Sequence, residues 1–362
     1  MTLAPEPAER RARARADLRI GLPVVLGAAA GPGHVILSAE TARKARLAAL
    51  RRLGVVEVAI TRHRAETLGA RPHDGDLARI ALPARADAAL VRAIADPAAD
   101  LARPMTGPLE SLRTGDPAPH RAALALTRGA RLLPSALVVA VDDAPSLAAA
   151  EGLIRLDPSE AWPGPQGPQI DHVAAARVPL ALARDARLHV FRPRDGGEEH
   201  YAVEIGEPPR GEPVLTRLHS ACFTGDLLGS LKCDCGAQLR AAIAAMAKAG
   251  GGVLVYLDQE GRGIGLANKM RAYALQDQGF DTVEANHRLG FEDDERDFRL
   301  GAAILREMGF SRARLMTNNP AKVARFAESG IEVIERVPLR VGRTDENAGY
   351  LDTKAAKSGH IL

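Results

Sequence analysis

The three cysteines of this 362-residue chain all lie between residues 222 and 235, as Cys222, Cys233 and Cys235. A disulfide is not expected, because the count is odd and Cys233 and Cys235 are too close in sequence for an unstrained bridge. Thiolates are good zinc ligands, so this spacing predicts a metal site. Three ligands would leave a coordination position for a catalytic water, whereas His219 as a fourth ligand would close the site. The spacing alone leaves both forms open.

Three later segments carry charge on turns. The loop "DQEGRGIG" (258–265) has glycines and Arg262, which would let backbone N–H groups approach an anion. The segment "TNNPAKV" (317–323) predicts a helix start with Lys322 in its first turn, where it could reach a phosphate. The segment "FEDDERDF" (291–298) is rich in acids, and on its own it is also typical of a solvated helix start. Together with a metal site, these segments indicate zinc-dependent hydrolysis of a phosphorylated substrate.

The elements that would position these residues read as alternating strands and helices. In the C-terminal half we predict strands at 188–193, 200–206, 213–220 and 253–259, and helices at 237–249, around 268–279, at 296–309 and at 321–330. In the N-terminal half, "LPVVLGA" and "VVEVAIT" predict strands on either side of a helix that begins at Ser38 and ends at Gly54. The expected fold class is α/β (α+β), with a mixed-sheet catalytic domain and a separate α/β N-terminal domain.

The segment "AWPGPQGPQ" (161–169) predicts the boundary between these domains, because its prolines and glycines exclude a helix or a central strand. The predicted domains are therefore residues 1–170, which end in this linker, and residues 171–362.

Composition excludes several classes of protein. The net charge is +3 and basic residues are spread among 45 acidic ones, so no nucleic-acid partner is expected. Apolar stretches are short, so no membrane partner is expected either. The N-terminal sequence has arginines but no apolar signal region, which favours a cytoplasmic location with free thiols.

From about Val173 to Leu362 the chain closely resembles GTP cyclohydrolase II, the enzyme that opens the guanine ring of GTP in the first step of riboflavin synthesis. The resemblance rests on long colinear motifs, which are "RLHSACFTGD", "GSLKCDCGAQL", "QEGRGIGLANKMRAYALQDQG", "DTVEANHRLGF", "DERDF", "LMTNNPAKV", "ERVPL" and "YLDTKAAKSGH".

The resemblance implies a role for each matching residue. Cys222, Cys233 and Cys235 would bind one catalytic zinc ion per subunit, whose water attacks C8 of guanine so that formate is released. Tyr273 would assist at the base, and Asp294 would accept a proton. Arg296 would attack the α-phosphorus, with pyrophosphate leaving and Mg²⁺ bridging the phosphates. Nucleotide contacts would come from Arg217, Leu218, His219, Ser220, Gln238, Glu260, Gly261, Arg262, Thr282, Thr317 and Lys322. Of these, Glu260 would accept hydrogen bonds from the guanine N1–H and 2-amino groups. The resemblance also implies a homodimer.

Two features depart from the family pattern. Ala221 stands where the family usually has a glutamate before the first cysteine, and a nearby acid such as Asp226 or Asp258 could replace that carboxylate. The N-terminal half lacks the acidic loop and the Gly-His-Thr segment of 3,4-dihydroxy-2-butanone 4-phosphate synthase, which is fused to the cyclohydrolase in many bacteria. We therefore expect it to be at most a degenerate, inactive relative of that synthase.

Two other functions fit the same residues. One is a non-catalytic zinc protein that binds nucleotide and regulates, for which Ala221 would be a sign of decay. The other is a related nucleotide hydrolase with a different substrate.

Overall fold

The computed structural model describes residues 3–102, 107–162 and 167–348. Its helices, in chain order, are α1 (Pro7–Ile20), α2 (Lys44–Leu53), α3 (Arg62–Thr67), α4 (Ala88–Ala95), α5 (Ala118–Gly129), α6 (Ala144–Glu151), α7 (Cys235–Lys248), α8 (Leu266–Asp277), α9 (Thr282–Arg288), α10 (Arg299–Glu307) and α11 (Pro320–Ala327). Its strands are β1 (Val24–Gly27), β2 (Gly33–Ser38), β3 (Glu57–Thr61), β4 (Leu77–Ala81), β5 (Ser135–Val141), β6 (Arg155–Leu156), β7 (Ile170–Arg177), β8 (Ala186–Pro193), β9 (His200–Gly206), β10 (Val214–Ser220), β11 (Gly251–Leu257), β12 (Arg312–Met316) and β13 (Glu332–Val337).

The chain divides into two compact units. Unit 1 comprises Met1–Gly164 together with Ala267–Glu295, and unit 2 comprises Pro165–Leu266 together with Arg296–Leu362. The segment 267–295 is thus grouped with the N-terminal half. It lies within the predicted catalytic domain, residues 171–362. The predicted boundary at residue 170 stays a prediction, and its linker lies partly outside the described residues.

Unit 1 contains a six-stranded sheet in the order β4-β3-β5-β2-β1-β6. All neighbouring pairs are antiparallel except β1 and β6. Helices α1 and α5 cover one face, where Leu18 and Leu126 are fully buried with Leu26 and Ile36 of the sheet. Burial of such apolar side chains stabilises the unit.

One predicted helix start in unit 1 is wrong. Ser38 does not open a helix, because it is the last residue of β2 and pairs with Ala136 of β5. The helix begins six residues later, at Lys44, and it ends before Gly54 as predicted. The segment "GHVILS" is β-branched and apolar enough to form a central strand, and this pairing overrides the capping tendency of serine.

Unit 2 contains a seven-stranded mixed sheet in the order β13-β12-β10-β11-β9-β8-β7. Strands β11, β10, β12 and β13 are parallel, whereas β9, β8 and β7 continue the sheet in antiparallel fashion. Strand β11 is central and apolar because both of its faces are covered. Val253 and Val255 pack in the same cluster as residues of α10, and Leu254 packs in the cluster that contains Met246 of α7. The mixed α/β fold class and the predicted strands β8 to β11 are confirmed.

Unit 1 also contains a titratable pair, His120 and Glu57, beside the half-buried His34. His120 Nε2 lies 2.6 Å from Glu57 Oε2, and this hydrogen bond lowers the pKa of Glu57. The His34 ring lies edge-on to the His120 ring, and burial chiefly lowers the pKa of His34 from its usual 6.5.

We expect unit 1 to lose stability as the pH falls below about 6.5, the pKa of an unperturbed histidine. Below that value the unfolded chain binds a proton at His34 that the folded chain resists, so protonation favours unfolding. The Glu57 contribution is present above its ordinary pKa and is lost only at more acid pH. Urea unfolding at pH 7.5 and 5.5, followed by the fluorescence of Trp162, the single tryptophan of the chain, measures the effect. His34→Gln should reduce the pH difference, and equal stability at both pH values in the unsubstituted protein would contradict the prediction.

No helix in the described residues is long and apolar enough to cross a membrane.

Candidate active site

The predicted site segments follow the carboxyl ends of three neighbouring parallel strands in unit 2. Strand β10 ends at Ser220, just before Cys222, and β11 ends at Leu257, just before the glycine-rich loop. Strand β12 ends at Met316, just before the segment 317–319. The carboxyl ends of neighbouring parallel strands lie at the same edge of a sheet, where α/β proteins commonly bind ligands.

The three cysteines converge on one point. Their sulfur atoms all lie within 4.8 Å of one another, and Cys222 Sγ is 3.7 Å from Cys233 Sγ. Cys222 sits at the start of a short π-helical turn (Phe223–Leu227), and Cys235 is the first residue of α7. Among the described residues this group contains no histidine, because Nε2 of His219 is directed to Asp226 instead. The arrangement favours the open, three-ligand form of the site.

The donor set fits a zinc ion. Zinc–sulfur bonds of about 2.3 Å in tetrahedral geometry place two sulfur atoms about 3.8 Å apart, close to the separation of Cys222 and Cys233. The hydrogen-bond contact with Cys222 is the largest cause that raises the pKa of Cys233, and contacts with Cys222 and Cys233 raise the pKa of Cys235 well above its usual value. A bound cation would reverse this preference, because it favours the thiolate form.

Two glycines allow the cysteines to approach each other. A Cβ atom on Gly225 would lie 2.7 Å from Cys233 Sγ and 3.0 Å from Cys222 Sγ. A Cβ atom on Gly236 would lie 2.2 Å from the carbonyl oxygen of Gly225. The site therefore requires glycine at both positions for steric reasons, and the loop "FTGD" can pack directly on the turn "KCDCG".

Asp226 organises the polar surroundings of Cys222. Its Oδ2 atom accepts hydrogen bonds from the Cys222 backbone N–H and from the Tyr256 hydroxyl, each at 3.0 Å. His219 Nε2 lies 3.0 Å and 3.1 Å from the two carboxylate oxygens. The His219 and Tyr256 rings stack with centroids 5.5 Å apart. Asp226 therefore fixes the start of the cysteine loop and the orientation of His219.

The surroundings of Asp226 shift the pKa values of two groups, His219 and Tyr256. Burial is the main cause that lowers the pKa of His219, and the positive charges of Arg217 and Lys322 lower it further, although Asp226 opposes them. Burial and the Asp226 charge raise the pKa of Tyr256. Tyr256 therefore stays protonated and donates its hydroxyl proton at neutral pH.

We expect Asp226→Ala to weaken both the fold and the metal site. The substitution leaves the partly buried Tyr256 hydroxyl and the Cys222 backbone N–H without an acceptor, which costs up to about 1–3 kcal/mol for each group. Loss of such an outer partner typically lowers metal affinity by roughly 10–100-fold. Competitive zinc titration and urea unfolding measure the two effects.

The matched control for that substitution is Glu335→Ala. Glu335 forms an exposed ion pair with Arg314, so its loss should change unfolding by less than about 1 kcal/mol. Equal zinc affinity in Asp226→Ala and Glu335→Ala proteins would contradict the assigned role of Asp226.

Arg217 is buried on β10 and is tied to α7. Its guanidinium group donates to the Met316 carbonyl at 3.2 Å and to the Gln238 side-chain oxygen, and Gln238 in turn donates to Asp234. Burial lowers the pKa of Arg217 to about 10, so the group stays charged at neutral pH. Its Nε atom is buried without a hydrogen-bond partner among the described residues. A buried cation with a spare donor is suited to bind an anion.

The glycine-rich loop has a strained backbone. Gly261 and Arg262 both have positive φ, at 64° and 61°, and Arg262 is not a glycine. A left-handed conformation costs a side-chain-bearing residue about 1–2 kcal/mol, and successive N–H groups in such turns form anion-binding concavities. Strain of this kind commonly occurs at functional sites.

Glu260 is buried at the start of this loop. Its Oε2 atom accepts from the Phe223 N–H at 2.6 Å, and its Oε1 atom accepts from the Gly261 N–H at 3.0 Å. Each carboxylate oxygen therefore accepts a hydrogen bond from a backbone N–H, which fixes the orientation of the group.

The segment 317–319, which follows β12, is held in place by hydrogen bonds of its buried side chains. Asn318 exchanges two hydrogen bonds with the Leu339 backbone, at 2.6 Å and 2.9 Å, and Thr317 Oγ1 accepts from the Asn319 N–H at 3.1 Å. Helix α11 begins at Pro320 as predicted, with Lys322 in its first turn.

Two cationic side chains lie near the same buried aromatic ring, that of Phe298. The Lys322 ammonium group and the Arg296 guanidinium group each lie 5.0 Å from the centre of the Phe298 ring. An anion bound near this ring would be attracted by both charges.

Three of the other predicted site residues do not belong to unit 2. Tyr273, Thr282 and Asp294 belong to the segment 267–295 of unit 1. There Tyr273 lies on α8 with the Lys269 ammonium group 5.6 Å from its ring centre, and Thr282 accepts from Gln276 at 3.2 Å. The Leu218 side chain packs in the core of unit 2, and Ser220 is half-buried at the end of β10. The motif "YLDTKAAKSGH" lies outside the described residues.

Sequence reasoning did not single out three polar residues of the site. Tyr256 donates a hydrogen bond to Asp226, and Asp234 accepts one from the Gln238 side-chain amide. Gln259 donates to the Asp297 carbonyl at 2.9 Å, and its side-chain oxygen is buried without a partner among the described residues. Asp234 lies inside the motif "GSLKCDCGAQL" and Gln259 inside "DQEGRGIG", and Tyr256 precedes the latter by two residues, so this position was the signal that could have identified them.

The fold and this cysteine cluster define a candidate metal-dependent enzyme. Residues 171–338 match the family model described as GTP cyclohydrolase II. The chain is 45% identical over 358 residues to GTP cyclohydrolase-2 of Azospirillum brasilense, covering 97% of this chain and 93% of that protein. It is 55% identical over 194 residues to GTP cyclohydrolase-2 of Cronobacter sakazakii, covering 54% of this chain and 98% of that protein. The chain therefore belongs to the GTP cyclohydrolase II family, which is a family of hydrolases.

A solved structure also resembles the chain loosely. It is a two-domain 3,4-dihydroxy-2-butanone 4-phosphate synthase from A. baumannii, with 17% identity and a TM-score of 0.33, covering 91% of this chain and 99% of that one. A likeness this loose carries no argument about the N-terminal half, whose relation to the synthase stays a prediction.

Proposed function

We propose that this protein hydrolyses GTP, opening the guanine imidazole ring with release of formate and pyrophosphate. The product would be 2,5-diamino-6-(5-phosphoribosylamino)pyrimidin-4(3H)-one, in the first step of riboflavin biosynthesis. The observation that carries the proposal is the convergence of Cys222, Cys233 and Cys235 within 4.8 Å, in a member of the GTP cyclohydrolase II family.

The cysteine cluster would hold one zinc ion per subunit. A bound zinc ion supplies a Lewis acid and lowers the pKa of a coordinated water, which is the chemistry that attack on C8 requires. The protein fixes this centre through Asp226, which holds the Cys222 backbone N–H. His219, held by the same carboxylate, is thereby oriented beside the cluster instead of completing it.

Recognition of the base would depend on Glu260. Its two oxygens are already positioned by backbone N–H groups, so the carboxylate is held rigidly and can accept from the guanine N1–H and 2-amino groups. Adenine presents no such pair of donors on that edge, so a buried carboxylate would be left poorly paired and ATP would be rejected.

Recognition of the triphosphate would depend on the cations of unit 2. Arg217 lies on β10, Arg262 follows the carboxyl end of β11 and Lys322 follows that of β12. Arg296 and Lys322 each lie 5.0 Å from the centre of the Phe298 ring. Mg²⁺ would accompany the phosphates. The roles of Arg296 at the α-phosphorus, Asp294 as proton acceptor and Tyr273 at the base remain proposals drawn from the family resemblance.

We also propose that the protein is a cytoplasmic homodimer without a nucleic-acid or membrane partner. Strand β7 supports a second copy as partner, because it is the outer strand of its sheet and its side chains from Asp171 to Arg177 are exposed. An outer strand with free backbone groups can pair with another chain.

The decisive experiment is a GTP assay with the purified, zinc-loaded protein and Mg²⁺. We expect formate and pyrophosphate in equal amounts, with ATP as the matched control substrate that gives neither product. Tight GTP binding without formate would contradict the proposal and favour a regulatory nucleotide-binding protein. Turnover of another nucleotide in place of GTP would favour a related hydrolase.

A further inference from the structure

A cavity lies entirely in unit 1, among residues to which the cyclohydrolase chemistry assigns no role. Its volume is about 650 Å³, which is within the range of small-molecule sites. Helix α5 forms one wall with Arg121, Leu124, Ala125 and Arg128. These residues are spaced i, i+3, i+4 and i+7, so they share one face of the helix.

The arginines of this cavity differ in their pairing. Arg62 is paired with Glu66 at 2.7 Å, and Arg121 is paired with Asp76 at 2.7 Å, so each of these charges is already compensated by a carboxylate that also lines the cavity.

Arg128 is paired more loosely, in a long ion pair with Glu295. Its nearest carboxylate oxygen, on Glu295, lies 4.0 Å from Nε, which is beyond hydrogen-bond distance. Its Nε atom is buried and has no hydrogen-bond partner among the described residues, although a third of the side chain is exposed. A guanidinium group with an unsatisfied buried donor gains most from a phosphate or carboxylate, which accepts two parallel hydrogen bonds.

The cavity also has an aromatic and apolar part. Trp162 lines it with an indole ring that is 43% exposed, and Leu124 and Ala125 lie between the two arginines of α5. An exposed tryptophan beside aliphatic side chains offers a flat surface to a planar ring. A few polar groups next to such a surface are typical of ligand sites.

We propose that this cavity binds a small phosphorylated molecule with a planar ring, such as a nucleoside monophosphate. The phosphate is bound by the Arg128 guanidinium group, and the ring lies against Trp162 and Leu124. Unit 1 is then a ligand-binding unit with its own specificity, and the cavity needs no residue of the cysteine site.

Trp162 provides a direct test, because it is the only tryptophan of the chain. We choose adenosine monophosphate as the probe, since it carries both a phosphate and a planar ring and lacks the guanine edge proposed to be read by Glu260. Titration into the full-length, zinc-loaded protein, with excitation at wavelengths that the probe does not absorb, should give a saturable change in fluorescence.

Arg128→Gln should weaken this binding at least tenfold, because a shorter, neutral amide replaces the charged fork. Arg128→Lys should restore only part of the affinity, since an ammonium group lacks the bidentate geometry. The matched control is Arg52→Gln, which removes an exposed arginine of α2 and should leave the affinity unchanged.

Adenosine and inorganic phosphate separate the two halves of the ligand. Each should bind at least tenfold more weakly than adenosine monophosphate. Equal affinity for either fragment alone would overturn the proposal, and so would an affinity for adenosine monophosphate that is unaltered in the Arg128→Gln protein. Absence of any saturable fluorescence change with adenosine monophosphate would overturn it as well. None of these outcomes depends on GTP turnover, so the proposed function can stand or fall separately.

Discussion

Cys233→Ser is expected to abolish GTP turnover and to remove zinc from the protein. Zinc binding by a four-ligand site provides about 10–16 kcal/mol, so each ligand contributes on the order of 3 kcal/mol. Loss of one of three thiolates should therefore weaken zinc binding by roughly 100-fold or more. A serine hydroxyl cannot replace the sulfur, because it is a poor ligand at neutral pH. The expected result is no detectable formate or pyrophosphate and a zinc content near zero after dialysis.

The measurements are a formate assay and elemental analysis of the same protein sample. Leu231→Ala is the matched control, because Leu231 lies in the same loop and its side chain is 55% exposed. That protein should keep its zinc and its activity. Full turnover by a zinc-free Cys233→Ser protein would show that the cysteine cluster has no catalytic role.

The serine substitution also tests whether the metal is structural or catalytic. If zinc only stabilised the loop, the Cys233→Ser protein would lose free energy of unfolding in step with its activity. Cys222 and Cys235 are fixed by other contacts, namely the Asp226 carboxylate and the first turn of α7. We therefore expect a well-folded protein with unchanged GTP binding and no ring opening.

The sequence predicted the cysteine cluster because its signal is local. Cys233 and Cys235 are separated by one residue and are followed by Gly236, so a short turn suffices to bring their sulfur atoms together. The start of α11 was predictable for the same reason, because Pro320 is suited to the first position of a helix.

The Asp226 network could not be predicted in this way. Asp226 and Tyr256 are 30 positions apart, and they meet only because β10 and β11 are parallel neighbours in register. A sequence shows that each strand exists, but the partner of a strand is decided by packing over the whole sheet. The grouping of residues 267–295 with unit 1 has the same origin, since it depends on contacts between distant segments.

The contacts of Asp226 bear on the absence of a glutamate at position 221. The carboxylate that the family usually has before the first cysteine is absent, but Asp226 contacts the Cys222 backbone N–H directly. Its carboxylate also accepts from Tyr256 and pairs with His219, so it serves the loop as a structural acceptor. It is therefore committed to the position of Cys222, and the site retains an acid next to its first cysteine.

Gly225→Ala is expected to damage the metal site through a single methyl group. The added Cβ would lie 2.7 Å from Cys233 Sγ, 3.0 Å from Cys222 Sγ and 3.0 Å from the Cys235 Cβ. These distances are shorter than van der Waals contact, so at least one sulfur must move away from the common centre. Overpacking of this kind typically costs about 1–3 kcal/mol. We expect zinc affinity to fall at least tenfold, with a parallel loss of formate release.

Gly211→Ala separates this steric effect from the general effect of replacing glycine. Gly211 has no atom within 4 Å of an added Cβ and its φ is not in the left-handed region, so alanine should fit there without strain. Both substitutions reduce the conformational freedom of the unfolded chain to a similar degree. Zinc titration of the two proteins therefore isolates the contact with the cysteines. If the Gly225→Ala protein bound zinc as tightly as the Gly211→Ala protein, the three sulfur atoms would not require a glycine at the centre of the site.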